Sequence, residues 1–430
     1  MMPVTYRKRA MPQAEFVQPS LREATRVFAR IGLLSFGGPA AQIAVMHREL
    51  VEERPWLTEQ QFLNALSFCM LLPGPEATQI ATYAGWRLHG VRGGLIAGLL
   101  FVVPGALVVL ALAMGYALWG KIPWIEAMFL GIKAAVVVIV IEALLRVAKK
   151  ALKGRAHWII AGLSFICIFF LTLPFPLIIL MAAFYGYLTQ RSSDDPPPHP
   201  KGANPLRTIA IWMVIWWAPV AVLWASGATF LTQIGVFFAK LAVVTFGGAY
   251  AVLAYMTQAA VFEHGWLTTP QMMDGLGLAE TTPGPLILVT EFVAFIAGFG
   301  EQGLMMGIAA AVLSLWVTFV PCYLWIFTGA PYIEWIATRP RLRGALSAIT
   351  AAVVGVVLNL SLWFALHVFF GRVTAVKHGP VTLFTPDLAT LEWRVVVLAL
   401  LSGVMILRLN MDLLKVLAIV ALGGVALAQI

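Results

Sequence analysis

Charged residues are scarce in this sequence. Asp, Glu, Lys and Arg make up only 11% of the 430 residues, while hydrophobic residues make up 60% and the mean hydropathy is +0.88. A soluble domain carries about 25% charged residues, so a chain this long with so few cannot cover a water-facing surface. The composition excludes a soluble globular protein and indicates that lipid is the main solvent of the chain.

Residues that serve metal binding and covalent catalysis are also sparse. The three cysteines, Cys69, Cys167 and Cys322, lie far apart in apolar surroundings, and the seven histidines form no HExxH pattern. The sequence holds no Walker motif, nucleophile pattern or cofactor motif. We therefore expect no metal, no cofactor and no enzymatic activity, and we exclude an ATP-driven pump encoded in this chain.

The net charge of +9 comes from basic residues in short clusters between apolar runs. The strongest cluster, Arg146 to Arg155, contains five Lys or Arg residues. This is the positive-inside pattern that orients membrane proteins. It predicts a lipid bilayer as the partner of the chain, and no nucleic acid.

The sequence contains one long motif in two copies. About two in five positions of the two copies are identical, and the copies align without a gap at an offset of 210 residues (246 − 36 and 283 − 73 both give 210). Later, Ala134–Val137 returns as Ala351–Val354 at an offset of 217 (351 − 134). Such a fixed long-period match indicates two homologous halves. The motif reads Phe36-Gly37-Gly38, Trp56-Leu57-Thr58 and Pro73-Gly74-Pro75, then Phe246-Gly247-Gly248, Trp266-Leu267-Thr268 and Pro283-Gly284-Pro285.

The apolar runs predict an all-α polytopic transmembrane helical bundle of about 13 spans. Proline removes a backbone donor and glycine relaxes the φ restriction, so each Pro-Gly-Pro triplet is expected to break a helix into two halves. We assign residues 1–190 to a first transporter repeat and residues 191–208 to a polar, Pro-rich cytoplasmic linker. Residues 209–430 hold an extra span and the second repeat.

The direction of the broken elements decides the topology. If each crosses the membrane once, the charge rule puts the N-terminus and the linker in the cytoplasm, the acidic 49–59 loop outside and the C-terminus in the periplasm. The two halves then form an inverted-topology repeat. If the broken elements are instead re-entrant hairpins, the repeats can still be inverted, with a different number of spans.

Broken helices at matching positions of two halves point to the binding site of a transporter. A half-helix that starts inside the membrane has free backbone amides and a partial positive charge, which suit an oxyanion. The alternative is a kink made only for packing. The expected substrate-binding residues are Gly37, Gly38, Pro73, Gly74 and Pro75 in the first half and Gly247, Gly248, Pro283, Gly284 and Pro285 in the second.

Two cations add to this site. Arg30 and Lys240 occupy the same repeat position (30 + 210 = 240). A cation within a span costs about 2.5–3.5 kcal/mol at the helix centre and so faces a cavity or a partner. The pair predicts a two-cation grip on an anion. The alternative for Arg30, which lies near its helix start, is that it snorkels to the interface.

Four carboxylates are the candidates for proton coupling: Glu76, Glu142, Glu280 and Glu291. Each lies beside a broken segment or inside a long apolar run. Burial favours the neutral form of a carboxyl group, which can then carry a proton. The alternative is that these groups form salt bridges with Arg87 or Lys240.

At the repeated motif the sequence resembles the chromate ion transporter family in its long, two-half form, and the resemblance covers nearly the whole chain. It implies export of chromate across the bacterial inner membrane, driven by the proton-motive force and giving chromate resistance. The second half has Ala249 where the first has Pro39, so the halves are not equivalent. The residues alone reach a secondary transporter of a small anion. They leave open a sulfate-like oxyanion, an importer or channel, and a membrane-embedded enzyme, for which no motif is found.

Overall fold

The computed structural model describes residues 18–35, 38–70, 72–120, 122–190, 205–245, 249–333, 339–379 and 381–429. Within these ranges the chain forms sixteen α-helices and one two-stranded sheet, as expected for a helical bundle. A π-helical turn, Arg48–Glu52, extends the second helix. The first half holds α1 (Leu21–Leu34), α2 (Gly38–His47), α3 (Glu59–Cys69), α4 (Glu76–Trp119), α5 (Pro123–Ala151), α6 (Arg155–Phe169) and α7 (Phe175–Thr189).

The second half repeats this order after one additional helix, α8 (Pro205–Ala225), which matches the extra span expected at 209–225. A 3-10 turn, Leu286–Leu288, leads into α12, and an antiparallel hairpin of β1 (Val373–His378) and β2 (Val381–Pro386) separates α14 from α15. The remaining helices are α9 (Thr229–Val244), α10 (Ala249–Gln258), α11 (Thr269–Thr281), α12 (Val289–Gln302), α13 (Leu304–Gly329), α14 (Pro340–Phe369), α15 (Trp393–Gly403) and α16 (Leu413–Leu427).

In the part of the chain that the structure describes, five helices are long and apolar enough to cross a membrane: α4, α5, α8, the continuous stretch Leu304–Tyr332 that contains α13, and α14. Large apolar side chains project outward from the bundle, among them Leu107, Phe184 and Leu422, each more than 60% exposed. An outward apolar surface suits hydrocarbon rather than water. The chain is therefore a multi-pass membrane protein.

The Trp-Leu-Thr part of the motif starts a helix in each half. The hydroxyls of Thr58 and Thr268 accept hydrogen bonds from the backbone N–H groups of Gln61 and Gln271, whose side chains bond back to the threonine N–H. These capping boxes satisfy amides that would otherwise lie unpaired at a helix start. The two copies thus begin α3 and α11 in the same way.

The second Pro-Gly-Pro element folds back on itself. A Cβ atom on Gly275 of α11 would lie 2.4 Å from the ring of Phe292 on α12. Thr268 before α11 and Gly300 near the end of α12 line one cavity. In a broken helix that continued straight, these two residues would lie more than roughly 40 Å apart. The expectation that the proline-broken elements cross the membrane is therefore wrong for this element, and the re-entrant alternative is correct.

The helices that flank the Phe-Gly-Gly motif also fold back. Arg30 Nε on α1 lies 3.4 Å from Glu49 Oε1 in the π-helical turn after α2. The rings of Phe237 on α9 and Tyr255 on α10 have their centres 6.3 Å apart. Neither contact is possible in a helix that runs on in one direction. The expected single spans at 25–47 and 230–258 are hairpins instead.

A sharp turn also divides α4, with non-helical backbone at His89 and Gly90. Its segments, 76–88 and 91–119, pack antiparallel through glycine, since a Cβ on Gly85 would lie 2.3 Å from the Gly93 carbonyl oxygen. Gly303 makes the corresponding turn between α12 and α13. The half-helices expected at 59–72 and 76–89 thus agree with α3 and the first segment of α4.

The two halves interlock through their later helices. In the first half, α6 and α7 pack along α14 of the second, where a Cβ on Gly186 would lie 2.2 Å from the Gly344 carbonyl oxygen. In the second half, α16 packs on α5 of the first, where a Cβ on Gly131 would lie 1.9 Å from the Val420 carbonyl oxygen. Because later helices of each half pack on helices of the other half, the two repeats form one continuous bundle.

Candidate functional site

The turns of the hairpins meet at the interface between the halves. The N–H of Gly74 donates a hydrogen bond to the carbonyl of Thr245, and the N–H of Gly284 donates one to the carbonyl of Ser35, each over 2.8 Å. The two bonds are equivalent in the repeat, because 245 − 35 and 284 − 74 both equal 210. Each Pro-Gly-Pro turn is thus tied to the residue that precedes Phe-Gly-Gly in the opposite half.

Glycine is required in both turns. Gly74 and Gly284 have φ values of 109° and 88°, which side chains rarely adopt. A Cβ on Gly284 would also lie 3.2 Å from Gly105 of α4, and one on Gly74 would lie 3.5 Å from Cys322 Sγ of α13. The turns therefore pack directly on the two helices that are equivalent in the opposite halves.

The half-helix after Pro75 begins with free amides beside buried polar groups. The N–H of Gln79 makes the first intrahelical bond, to the Pro75 carbonyl at 3.1 Å, so the N–H groups of residues 76–78 precede it. Gln79 Nε2 donates to the Pro73 carbonyl at 2.7 Å. Among the described residues, Thr78 Oγ1 and Gln79 Oε1 are buried without a partner. This helix start has the donors and polar lining that an oxyanion needs.

The half-helix after Pro285 has a different lining. It begins with the 3-10 turn, in which the Leu288 N–H donates to the Pro285 carbonyl at 2.9 Å. Leu288 and Val289 stand where the first half has Thr78 and Gln79 (78 + 210 and 79 + 210). A polar contact comes from the first half, since Gln42 Nε2 donates to the Gly284 carbonyl at 2.6 Å.

The two expected cations are each held within their own hairpin. Arg30 pairs with Glu49, which is fully buried and also binds Arg54. The corresponding residues of the second half are Lys240, Ala259 and His264 (210 added to 30, 49 and 54), so the carboxylate is replaced by alanine. Lys240 Nζ instead lies 5.6 Å from the centre of the Tyr255 ring.

The four candidate carboxylates fall in three places. Glu76 lies in the first turn of α4 at the Pro-Gly-Pro turn. Glu142, which pairs with Arg146, and Glu280 line one cavity of about 220 Å³, so the structure brings these two together. Glu291 is 1% exposed, and its Oε2 has no hydrogen-bond partner among the described residues.

An ion pair that sequence reasoning missed lies elsewhere in the bundle. Lys133 Nζ on α5 lies 2.8 Å from Asp274 Oδ1 on α11, and the Tyr116 hydroxyl donates to Asp274 Oδ2 at 2.7 Å. A lysine inside an apolar run was a signal, but its partner is 141 residues away (274 − 133). No local pattern connects the two residues.

Three of the expected site residues, Gly37, Gly247 and Gly248, lie outside the described residues, as do residues 191–204 of the expected 191–208 linker. Gly38 is described and begins α2 with a φ of 78°. Within the described ranges, no group of three or more His, Cys, Asp or Glu side chains could hold a metal ion. The chemistry available at the hairpin turns is therefore that of backbone amides, amide and hydroxyl side chains, cations and carboxylates.

Comparison with known proteins gives a consistent picture. A family described as "Chromate transporter" matches residues 22–187 and 232–428, one region in each half. A "Probable chromate transport protein" of Synechococcus elongatus is 30% identical over 350 residues, which cover 79% of this chain and 83% of the relative. "Chromate transport protein" of Cupriavidus metallidurans is 30% identical over 345 residues, 79% of this chain and 81% of the relative. The Pseudomonas aeruginosa protein of that description is 31% identical over 398 residues, 87% of this chain and 89% of the relative. No solved structure matches this chain.

Proposed function

The chain belongs to the chromate transporter family, and from this premise we propose that it exports chromate, a sulfate-like oxyanion, from the cytoplasm. The relatives from Synechococcus elongatus, Cupriavidus metallidurans and Pseudomonas aeruginosa are described as chromate transport proteins. Transport is driven by the proton-motive force across a bacterial inner membrane and confers chromate resistance. Sulfate is also a tetrahedral dianion, and it is the substrate to compare with chromate.

The observation that carries this proposal is the reciprocal bonding of the two Pro-Gly-Pro turns to the opposite halves. It supports a single site between the repeats, where half-helix ends with unpaired amides converge. The amides of residues 76–78, Thr78 and Gln79 supply a polar surface for the oxyanion. Both turns sit on residues of the opposite half, so a relative movement of the halves changes the site. Such a movement is the basis of alternating access.

The fold-back of the hairpins supports opposite orientations for the two halves. With the 146–155 cluster in the cytoplasm, as the positive-inside rule asks, α5 ends there and the second segment of α4 begins there. The α1–α2 hairpin then enters from the cytoplasm, as does the α3–α4 element, which is equivalent in the repeat to the α11–α12 hairpin. The α9–α10 and α11–α12 hairpins enter from the periplasm. The α6–α7 and α15–α16 pairs each return the chain to the face it left. The N-terminus lies in the cytoplasm and the C-terminus in the periplasm.

Glu291 is the carboxylate that we assign to proton coupling. It is buried, and one of its oxygens has no hydrogen-bond partner among the described residues. Glu142, by contrast, is paired with Arg146 and its side chain is 34% exposed. An ionised carboxylate without a partner is costly inside a membrane protein, whereas a neutral one is tolerated. Glu291 is therefore suited to gain and lose a proton during transport.

Inverted membrane vesicles, whose cytoplasmic face is outward, test this function directly. We expect energised vesicles to accumulate labelled chromate, and collapse of the proton gradient to stop accumulation. A Pro73→Ala, Pro75→Ala double variant present at the same level should be inactive, because the hairpin turn is lost. Uptake that is insensitive to the gradient would remove the coupling. Cells that accumulate chromate and become more sensitive to it would indicate an importer or channel.

A further inference from the structure

A cavity with charged side chains in its wall lies at the open end of the α11–α12 hairpin, away from the turns. Its volume is about 750 Å³, many times the roughly 30 Å³ share of one water molecule in the liquid. The wall is formed by α4, α5, α11, α12 and the segment before α11. Its lining includes Tyr116, Glu126, Lys133, Trp266 and Asp274.

The Lys133–Asp274 ion pair lies in this wall. Asp274 is 6% exposed, and the side chain of Lys133 is 19% exposed. The Tyr116 hydroxyl completes the coordination of the carboxylate. Lys133 therefore reaches the cavity with its charge already matched by an anion that belongs to the protein. The groups that hold Asp274 are one cation and one hydroxyl donor, and these are also donors for an oxyanion.

The surrounding helices hold this arrangement in place. A Cβ on Gly277 of α11 would lie 2.8 Å from Ile132 Cγ2, so α11 approaches α5 closely just beside Lys133. The Tyr116 ring meets those of Phe129 and Phe292 edge to face, at centre distances of 5.3 and 5.4 Å. This packing aims the hydroxyl at the carboxylate. The donors are therefore oriented before any ligand arrives.

The ion pair occurs in one half only. At the equivalent positions of the other half stand Asn64 (274 − 210) and Thr350 (133 + 217), which carry no charge. The same helices occur in that half without a lysine or an aspartate there. A buried ion pair is weak evidence for stability, because desolvation of its charges offsets their attraction. Its presence in one half alone points to a functional role.

We propose that this cavity is a second oxyanion site, in which Lys133 binds the transported anion in competition with Asp274. The inference rests on the proposed oxyanion transport and adds a site to it. Asp274 acts as an internal anion: an incoming oxyanion displaces it from Lys133 and takes up the Tyr116 hydrogen bond. When Asp274 returns, the oxyanion is released. The competition keeps affinity low enough for turnover.

The fluorescence of Trp266, which lines the cavity, gives a local readout of binding. Purified protein in detergent is titrated with sulfate, and the signal is the difference from the same titration of a Trp266→Phe form. We expect Asp274→Asn to lower the sulfate Kd by about tenfold or more, because it removes the competing charge. Glu126→Gln is the matched control, since Glu126 lines the same cavity outside the ion pair. It should change Kd by less than about threefold.

The double variant Lys133→Thr, Asp274→Asn introduces the residue types found at the equivalent positions of the other half. It should remain monodisperse and lose the Trp266 response to sulfate. Equal Kd values for the unaltered protein, Asp274→Asn and the double variant would overturn the proposal, as would an equal effect of Glu126→Gln. Chromate accumulation in vesicles without a Lys133-dependent response leaves transport standing and removes this site. A Lys133-dependent Trp266 response without chromate accumulation would keep this site and remove the proposed transport.

Discussion

Arg30 in the first half and Lys240 in the second occupy equivalent positions, but their surroundings differ. Arg30 is paired with the buried Glu49, whereas alanine replaces that carboxylate beside Lys240. The polar pair Thr78 and Gln79 likewise belongs to the first half only. The two halves keep the same backbone at the candidate site but carry different side chains there. Pseudo-symmetric folding therefore does not require the same side chains in both halves of the candidate site.

The largest loss is expected from the feature that the halves share. Gly74→Val and Gly284→Val each place a β-branched residue at positive φ, which costs about 1–3 kcal/mol, and crowd the opposite half. We expect either change to reduce vesicle transport by about 100-fold, as a small displacement of binding groups does. Gly162→Ala on α6 is the control, since a Cβ there meets nothing within 4 Å. If only one of the two valine variants is inactive, the turns are not equivalent.

A large loss is also expected at Glu291, whose first-half counterpart is Ala81 (291 − 210). Glu291→Gln keeps the shape of the side chain but cannot exchange a proton. Proteoliposomes with an internal pH dye should show chromate-dependent proton movement for the unaltered protein and none for this variant. Proton movement that persists in Glu291→Gln would transfer the role to another carboxylate.

An intermediate effect separates the two cations. Lys240→Gln should raise the KM for chromate by about tenfold, because the charge of Lys240 is not compensated by a carboxylate among the described residues. Arg30→Gln should raise KM by only about twofold, because Arg30 is already engaged in an ion pair with Glu49. Initial rates over a range of chromate concentrations give both values. Equal effects would restore a symmetric two-cation grip, and full activity of the double variant would remove it.

The smallest effect is expected at Glu142, which corresponds to Asn359 in the second half (142 + 217). Its ion pair with Arg146 is four residues along one helix and partly exposed. Such pairs contribute about 0.3–0.5 kcal/mol to the free energy of unfolding. Glu142→Asn should therefore leave thermal stability and proton movement nearly unchanged. A loss of proton movement here would show that Glu142 carries the proton instead of Glu291.

Much of the architecture could be predicted because helix breaks are determined by local sequence. Proline and glycine identify the turns at Pro73-Gly74-Pro75 and Pro283-Gly284-Pro285, and Thr58 and Thr268 define the helix starts that follow Trp-Leu. The constant offset identifies the two halves. A helix break in the sequence does not indicate the direction of the chain after the break. The same sequence pattern therefore fits both a hairpin and a helix that crosses the membrane. Contacts such as Arg30 with Glu49 decide between them, and these depend on the folded chain.

The backbone turns of the candidate site could be predicted from the sequence, but the hydrogen-bond and ion-pair partners of its residues could not. The glycines of the turns follow from the motif, but their bonds to Thr245 and Ser35 join opposite halves. Asp274 was missed because its partner, Lys133, lies on a distant helix. Spacing rules describe neighbours on one element, whereas the packing of the two halves brings these groups together.

The most direct test of the central claim, that hairpins from the two halves enter from opposite faces, is cysteine labelling with a membrane-impermeant maleimide. In a form in which Cys69, Cys167 and Cys322 are replaced by alanine, single cysteines are introduced at four exposed positions. They replace Glu53 and Val91 on either side of the first Pro-Gly-Pro element, and Glu263 and Glu301 on either side of the second. We predict that positions 53 and 91 are labelled from the cytoplasmic face and positions 263 and 301 from the periplasmic face. Labelling of 53 and 91 from opposite faces would contradict the account.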